Sequence, residues 1–177
     1  MQLSDPTTIA LDVRSRMQNR MWWPALPGML QAGLIQWPAH RDLIDATITL
    51  ALHEPFVVER GKELVPVFLE AAGSVRQAES AGLLTHAAQL TWLFDDVDSA
   101  WVMLVDALSA DPNDVEARSF LTELIETPDH PTGWCDGLET LAMRAVRGQV
   151  DRTIVLDILA ECRQVSACPR AWSLLGR

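Results

Sequence analysis

Tyrosine is absent from this 177-residue chain, lysine occurs once, at Lys62, and cysteine only three times, at 135, 162 and 168. Each scarcity excludes something. An odd number of cysteines without a regular framework argues against a secreted disulfide scaffold, so buried thiols are expected. His130 with Cys135, and Cys162 with Cys168, are the groupings closest to a metal site. They have neither Cys-x-x-Cys nor His-x(3–5)-His spacing, so no metal is assigned. A bridge between Cys162 and Cys168 would conflict with a reducing cytosol. The single lysine among 14 basic residues reads as the codon bias of a GC-rich genome. No apolar run approaches the roughly 18 residues of a membrane span. The start, Met1-Gln2-Leu3-Ser4-Asp5-Pro6, shows no basic region followed by an apolar one, which gives a cytoplasmic location as the expectation. There is no Gly-rich phosphate loop, Gly-x-Ser-x-Gly elbow or His-Glu-x-x-His helix, so no catalytic residue and no cofactor is assigned.

What is present describes a globular chain. Apolar residues make up 49% and charged residues 21%, without long Gly/Ser or Pro-rich tracts, which suits one domain over residues 1–177. The net charge of -10 is unevenly placed: residues 63–129 hold 13 acidic and 2 basic side chains, and the remainder is close to neutral. A one-signed surface of this kind disfavours phosphate backbones and serves either solubility or a basic partner.

The periodicity is helical throughout. Ser4-Asp5-Pro6 opens a helix carrying Ile9, Val13 and Met17 and ending near Asn19 or Arg20. An apolar turn over 21–28 leads to a short helix over 29–37 and a firmer one over 38–53, where Ile44, Ile48 and Leu52 share a face. Gly61 and Pro66 interrupt residues 54–73, which read as a short turn or helix and then a helix. Ser80 is the expected cap of the next helix, Asp98 of the one after, and Asn113 with Glu116 of a third carrying Ala117, Leu121, Leu124 and Ile125. Residues 127–133 form a loop, Asp136 and Glu139 cap a helix stopped by Gly148, Asp151 opens another, and a last one runs over 169–175. Although 153–159 alone could pass for a strand, the whole is an all-α domain of about eight or nine helices.

Residues 83–124 stand out as a hairpin plus a following helix. Small residues at Ala87, Ala88, Ala100 and Ala107 permit close approach of two antiparallel helices, Leu84 and Leu104 fill the seam, and Pro112 restarts the chain. Within residues 81–114 the pattern resembles a tetratricopeptide repeat at Ala100, Leu104, Ala107 and Pro112, with Leu84 and Ala87-Ala88 replacing the usual residues of the first helix. No second copy follows at that period. Over residues 41–134 the chain also resembles the C-terminal half of an uncharacterised actinobacterial domain-of-unknown-function family. Arg41-Asp42, Thr91-Trp92-Leu93, the junction Ala107-Leu108-Ser109-Ala110-Asp111-Pro112, and Pro131 with Trp134 carry that resemblance. Asp95-Asp96-Val97-Asp98 replaces the family's glycine-rich bend, and the family's N-terminal α/β portion has no counterpart. The resemblance implies a helical fold and a mobile-element or phage origin, and it implies no activity.

The expected function is therefore a non-enzymatic protein–protein interaction module. Asp95, Asp96 and Asp98 would meet a possibly basic protein partner; their spacing lacks the glycine and glutamate of a calcium loop. Trp22 and Trp23 sit in a proline-flanked turn that can hardly bury both indoles, and Thr85, Gln89 and Trp92 would line the groove of a tetratricopeptide-like unit. No direct nucleic acid and no membrane is expected as a partner. Two other classes stay open: an acidic decoy that mimics nucleic acid, and an enzyme without a recognisable motif.

Overall fold

The computed structural model describes residues 5–38, 40–126, 133–161 and 168–176. Among these every regular element is helical: α1 (Pro6–Arg16), α2 (Leu26–Gln36), α3 (Arg41–Ala51), α4 (Glu54–Arg60), α5 (Leu64–Ser74), α6 (Gln77–Leu93), α7 (Val97–Ala110), α8 (Val115–Glu126), α9 (Trp134–Val146), α10 (Arg152–Glu161) and α11 (Pro169–Leu174). Short 3-10 turns over Arg20–Ala25 and Gly61–Glu63 join α1 to α2 and α4 to α5. The all-α class is as expected. Eleven α-helices are described against the expected eight or nine, α4 and α11 being only seven and six residues long. Residues 153–159 are helical, inside α10.

Capping chemistry sets several of the boundaries. Asp5 accepts the Thr8 amide and hydroxyl, with Pro6 in the first turn, where its missing N–H costs nothing. Those bonds to Thr8 hold the exposed Asp5 carboxyl below its usual range. Pro66 sits in the first turn of α5 for the same reason as Pro6, so it opens that helix and does not interrupt it. Several expected caps lie one or more residues from the real ones. Ser80 is inside α6 and bonds back to the Gln77 carbonyl. Asp96, not Asp98, receives the Ser99 amide at the start of α7. Asp114, not Asn113, receives the Ala117 amide at the start of α8. Asp136 already lies in the first turn of α9, which begins at Trp134. Gly148, at φ +70°, closes α9 as expected, with the Gln149 amide returning to the Arg144 carbonyl.

The interior divides into two packed clusters on either side of α6. One is built from α1 to α5 around Leu26, Leu34, Phe56 and Phe68 and includes Leu83, Ala87 and Leu90 of α6. The other is built from α7 to α11 around Leu104, Leu121, Leu138 and Leu159 and includes Ala88 of α6. Leu84 and Met103 touch both. In α3 the buried stripe is Leu43, Ala46 and Leu50, while Ile44 and Ile48 are partly buried against the same cluster and Leu52, at the end of the helix, is exposed. In α8 the predicted face of Ala117, Leu121, Leu124 and Ile125 is buried, joined by Phe120.

The sulfurs behave differently from expectation. Cys135, in the first turn of α9, is disulfide-bonded to Cys168, the residue before α11. Neither is a free thiol, and Cys162 lies outside the described residues, as do His130 and Pro131 and all of the expected loop except Gly133. The bridge spans 33 positions and ties a six-residue helix, too short to be stable alone, onto α9. Closing a loop of that size stabilises the folded state by roughly 3–4 kcal/mol. Cys135→Ala with Cys168→Ala should lower the unfolding free energy measured in denaturant by an amount of that order, with fraying concentrated in α11 by hydrogen exchange. Thiol alkylation before and after reduction of the native protein should differ by two groups.

Candidate functional site

The α6–α7 bend is built from a tight helix stop. The Asp95 amide returns to the Trp92 carbonyl and the Asp96 amide to the Thr91 carbonyl, the paired bonds of a Schellman ending. That ending needs a left-handed residue, and Asp95 supplies it at φ +61°, the only non-glycine residue described with positive φ. Phe94 anchors the bend, lying so close to Gly61 that a Cβ there would be 2.6 Å from its ring. The only lysine, Lys62, stands 5.5 Å from the same ring. Asp95, Asp96 and Asp98 are all exposed, so three carboxylates are presented within one turn of chain.

The other predicted residues are distributed less simply. Thr85 is fully buried and bonds back to the Ala81 carbonyl, so it lines no groove. Gln89 donates to Glu116 at 3.1 Å, and Trp92 meets Phe120 edge-on at 5.6 Å. The row expected to face a partner is thus closed against α8, because α8 folds back along α6. Trp23 is 3% exposed, donates its indole N–H to the Met17 carbonyl at 2.7 Å and meets Phe56 edge-on. Trp22 remains 43% exposed, with the Arg16 guanidinium 4.1 Å above its ring. One indole is core and the other surface, as a proline-flanked turn requires.

A feature the sequence reading missed lies next to the bend. Asp98 and Trp101 of α7 adjoin Gly133, Asp136 and Gly137 of α9, and Asp106 meets Arg144 at 3.3 Å, so the two helices run in the same direction. Between them is an open cleft of about 430 Å³ whose lining is mainly apolar, within the usual size range of ligand sites. Trp101 packs onto Gly137 so tightly that a Cβ at that glycine would stand 2.3 Å from the indole nitrogen. That nitrogen is buried without an acceptor among the described residues. The signal available in the sequence was the recurrence of Asp98, Trp101, Val102, Val105 and Asp106 at helical spacing; Gly137 opposite them was invisible without the fold.

Among the described residues, no three His, Cys, Asp or Glu side chains come together as a metal site, and no helix is long and apolar enough to cross a membrane. Compared with family models, curated proteins and solved structures, the chain matches none.

Two substitutions test this geometry. Gly137→Ala gains helix propensity of about 1 kcal/mol but drives a Cβ into a rigid, packed indole. The clash should win, with a net loss of roughly 1–3 kcal/mol in denaturant unfolding. Asp95→Gly removes left-handed strain at an exposed position and should stabilise by about 0.5–1 kcal/mol, a rise in Tm of roughly 1–4 °C.

Proposed function

We propose that the protein is a non-enzymatic helical interaction module whose acidic α6–α7 bend receives a basic segment of another protein. The observation that carries this reading is Asp95. A left-handed C-cap is the ordinary place for glycine, and here it holds an exposed carboxylate at a cost in stability. Asp96 and Asp98 lie beside it on the stretch where the chain concentrates its negative charge. The bend itself is stiff, fixed by Phe94 on Gly61 and by the two helix-stop hydrogen bonds. A rigid, one-signed surface of this kind favours encounter with a cationic partner and loses it as salt rises.

The tetratricopeptide-like reading of residues 81–114 belongs to the same proposal, supported by the packing of α6 against both α7 and α8. So does kinship with the actinobacterial family. A cytoplasmic location completes it, and the Cys135–Cys168 bridge pulls against that location because cytosolic thiols are kept reduced.

The test replaces Asp95, Asp96 and Asp98 together by Asn. Asn tolerates left-handed φ and caps a helix as well as Asp does, so charge is removed while the bend is kept. Capture of a partner from host lysate, eluted over a salt gradient, should weaken roughly tenfold with this variant. Equal capture by both proteins removes the bend from the model.

A further inference from the structure

We propose that the α7–α9 cleft is the docking groove for a short basic amphipathic helix of a partner protein, an inference that rests on the acidic-bend reading and gives it a seat. Three observations converge on it. The floor is apolar, formed by Trp101 and Val105, with Val102 standing 60% exposed on one wall. The described residues lining the cleft include three carboxylates, Asp98, Asp106 and Asp136, and no Lys, Arg or His; Arg144 reaches Asp106 without lining it. Finally, the Trp101 indole is packed tightly onto Gly137, which makes the wall they form rigid. A rigid apolar wall keeps its shape for an incoming apolar side chain, which lowers the cost of binding.

The dimensions select a helix. Lining residues recur along α7 from Asp98 to Asp106 at three- and four-residue spacing, a little over two turns or about 12 Å. A partner helix lying between α7 and α9 places apolar side chains at i, i+4 and i+7 on Trp101, Val102 and Val105. Arginine or lysine on its flanks then meets Asp106 on one side and Asp136 on the other, and its end reaches the Asp95–Asp96 bend at the start of α7.

The probe is a fluorescent synthetic peptide with leucine at i, i+4 and i+7, arginine at the flanking positions and alanine elsewhere; its control carries glutamate for each arginine. The arginine peptide should bind with an affinity that falls as salt rises, and the glutamate peptide should not bind. Val102→Arg and Thr140→Arg, on opposite walls and both at exposed sites, should each weaken binding by about tenfold or more. The Trp101 indole proton resonance, assigned by its loss in Trp101→Phe, should move on titration. Binding that ignores both wall variants and leaves that resonance in place overturns the groove. If such binding is instead lost in the triple Asn variant, the acidic bend stands and only its seat is wrong. No peptide binding at all also overturns the groove, and the bend is then judged by host-lysate capture alone; insensitivity of that capture to the triple variant removes both.

Discussion

Everything in this fold depends on α6 being apolar on two opposite sides. A surface helix buries one stripe and exposes the rest; α6 buries Leu83, Ala87 and Leu90 against the N-terminal helices and Ala88 against the C-terminal ones, while Leu84 touches both. Its small residues let neighbours approach closely, and its buried hydroxyls, Thr85 and Thr91, satisfy themselves on the preceding turn at Ala81 and Ala87. Burying an unpaired hydroxyl would cost about 1–3 kcal/mol, so this internal bonding is what allows polar residues in a wall between two cores. Each fully buried leucine on either side contributes roughly 1.5–3 kcal/mol, and none of it is available unless α6 stands between them.

From that wall the rest follows by contact. α7 returns antiparallel along α6, held at the far end by Gln77 donating to the Ser109 carbonyl. One face of α7 packs on α6 and its flank on α8, and among the described elements α9 meets the side carrying Trp101. α9 comes near enough because Gly137 has no side chain to oppose the indole. The disulfide then holds α11 against the same helix. The cleft between α7 and α9 lies beside this contact of a large ring with a glycine.

Much of this was legible in the sequence, and what was not had physical causes. The hairpin was readable because Ala87, Ala88, Ala100 and Ala107 are small where helices must meet and Leu104 is large where they must be filled; all are fully buried. Caps were misplaced at Ser80, Asp98 and Asn113 because several Ser, Asp and Asn residues crowd each helix start, and which one adopts the cap depends on where tertiary packing begins the helix. Thr85 was assigned to a groove on the assumption that the first hairpin helix is open, an assumption defeated by α8. The Cys135–Cys168 pairing could not be read from spacing, since three cysteines allow three single bridges and only the docking of α11 on α9 brings this pair together. The orphaned Trp101 N–H likewise depends on a glycine 36 positions away.

The acidic bend and the neighbouring cleft are also where local rules are broken. Local rules are broken elsewhere too, at buried nitrogens of His40, His53 and Arg60 that have no partner among the described residues and at the exposed side chains of Val58 and Val115, but along α7 and its entry three exceptions adjoin one surface. At Asp95 a carboxylate occupies a glycine conformation; at Trp101 a donor is buried unpaired; at Val102 a branched apolar side chain is left in solvent on a helix whose other side is solid core. Any one of these is tolerable in a protein stabilised by two cores and a disulfide. Their concentration along α7 and its entry is different, because a chain under selection for stability alone would remove each by a single substitution. On the proposed reading, this surface is completed by a cationic, helical occupant whose charge and shape complement it.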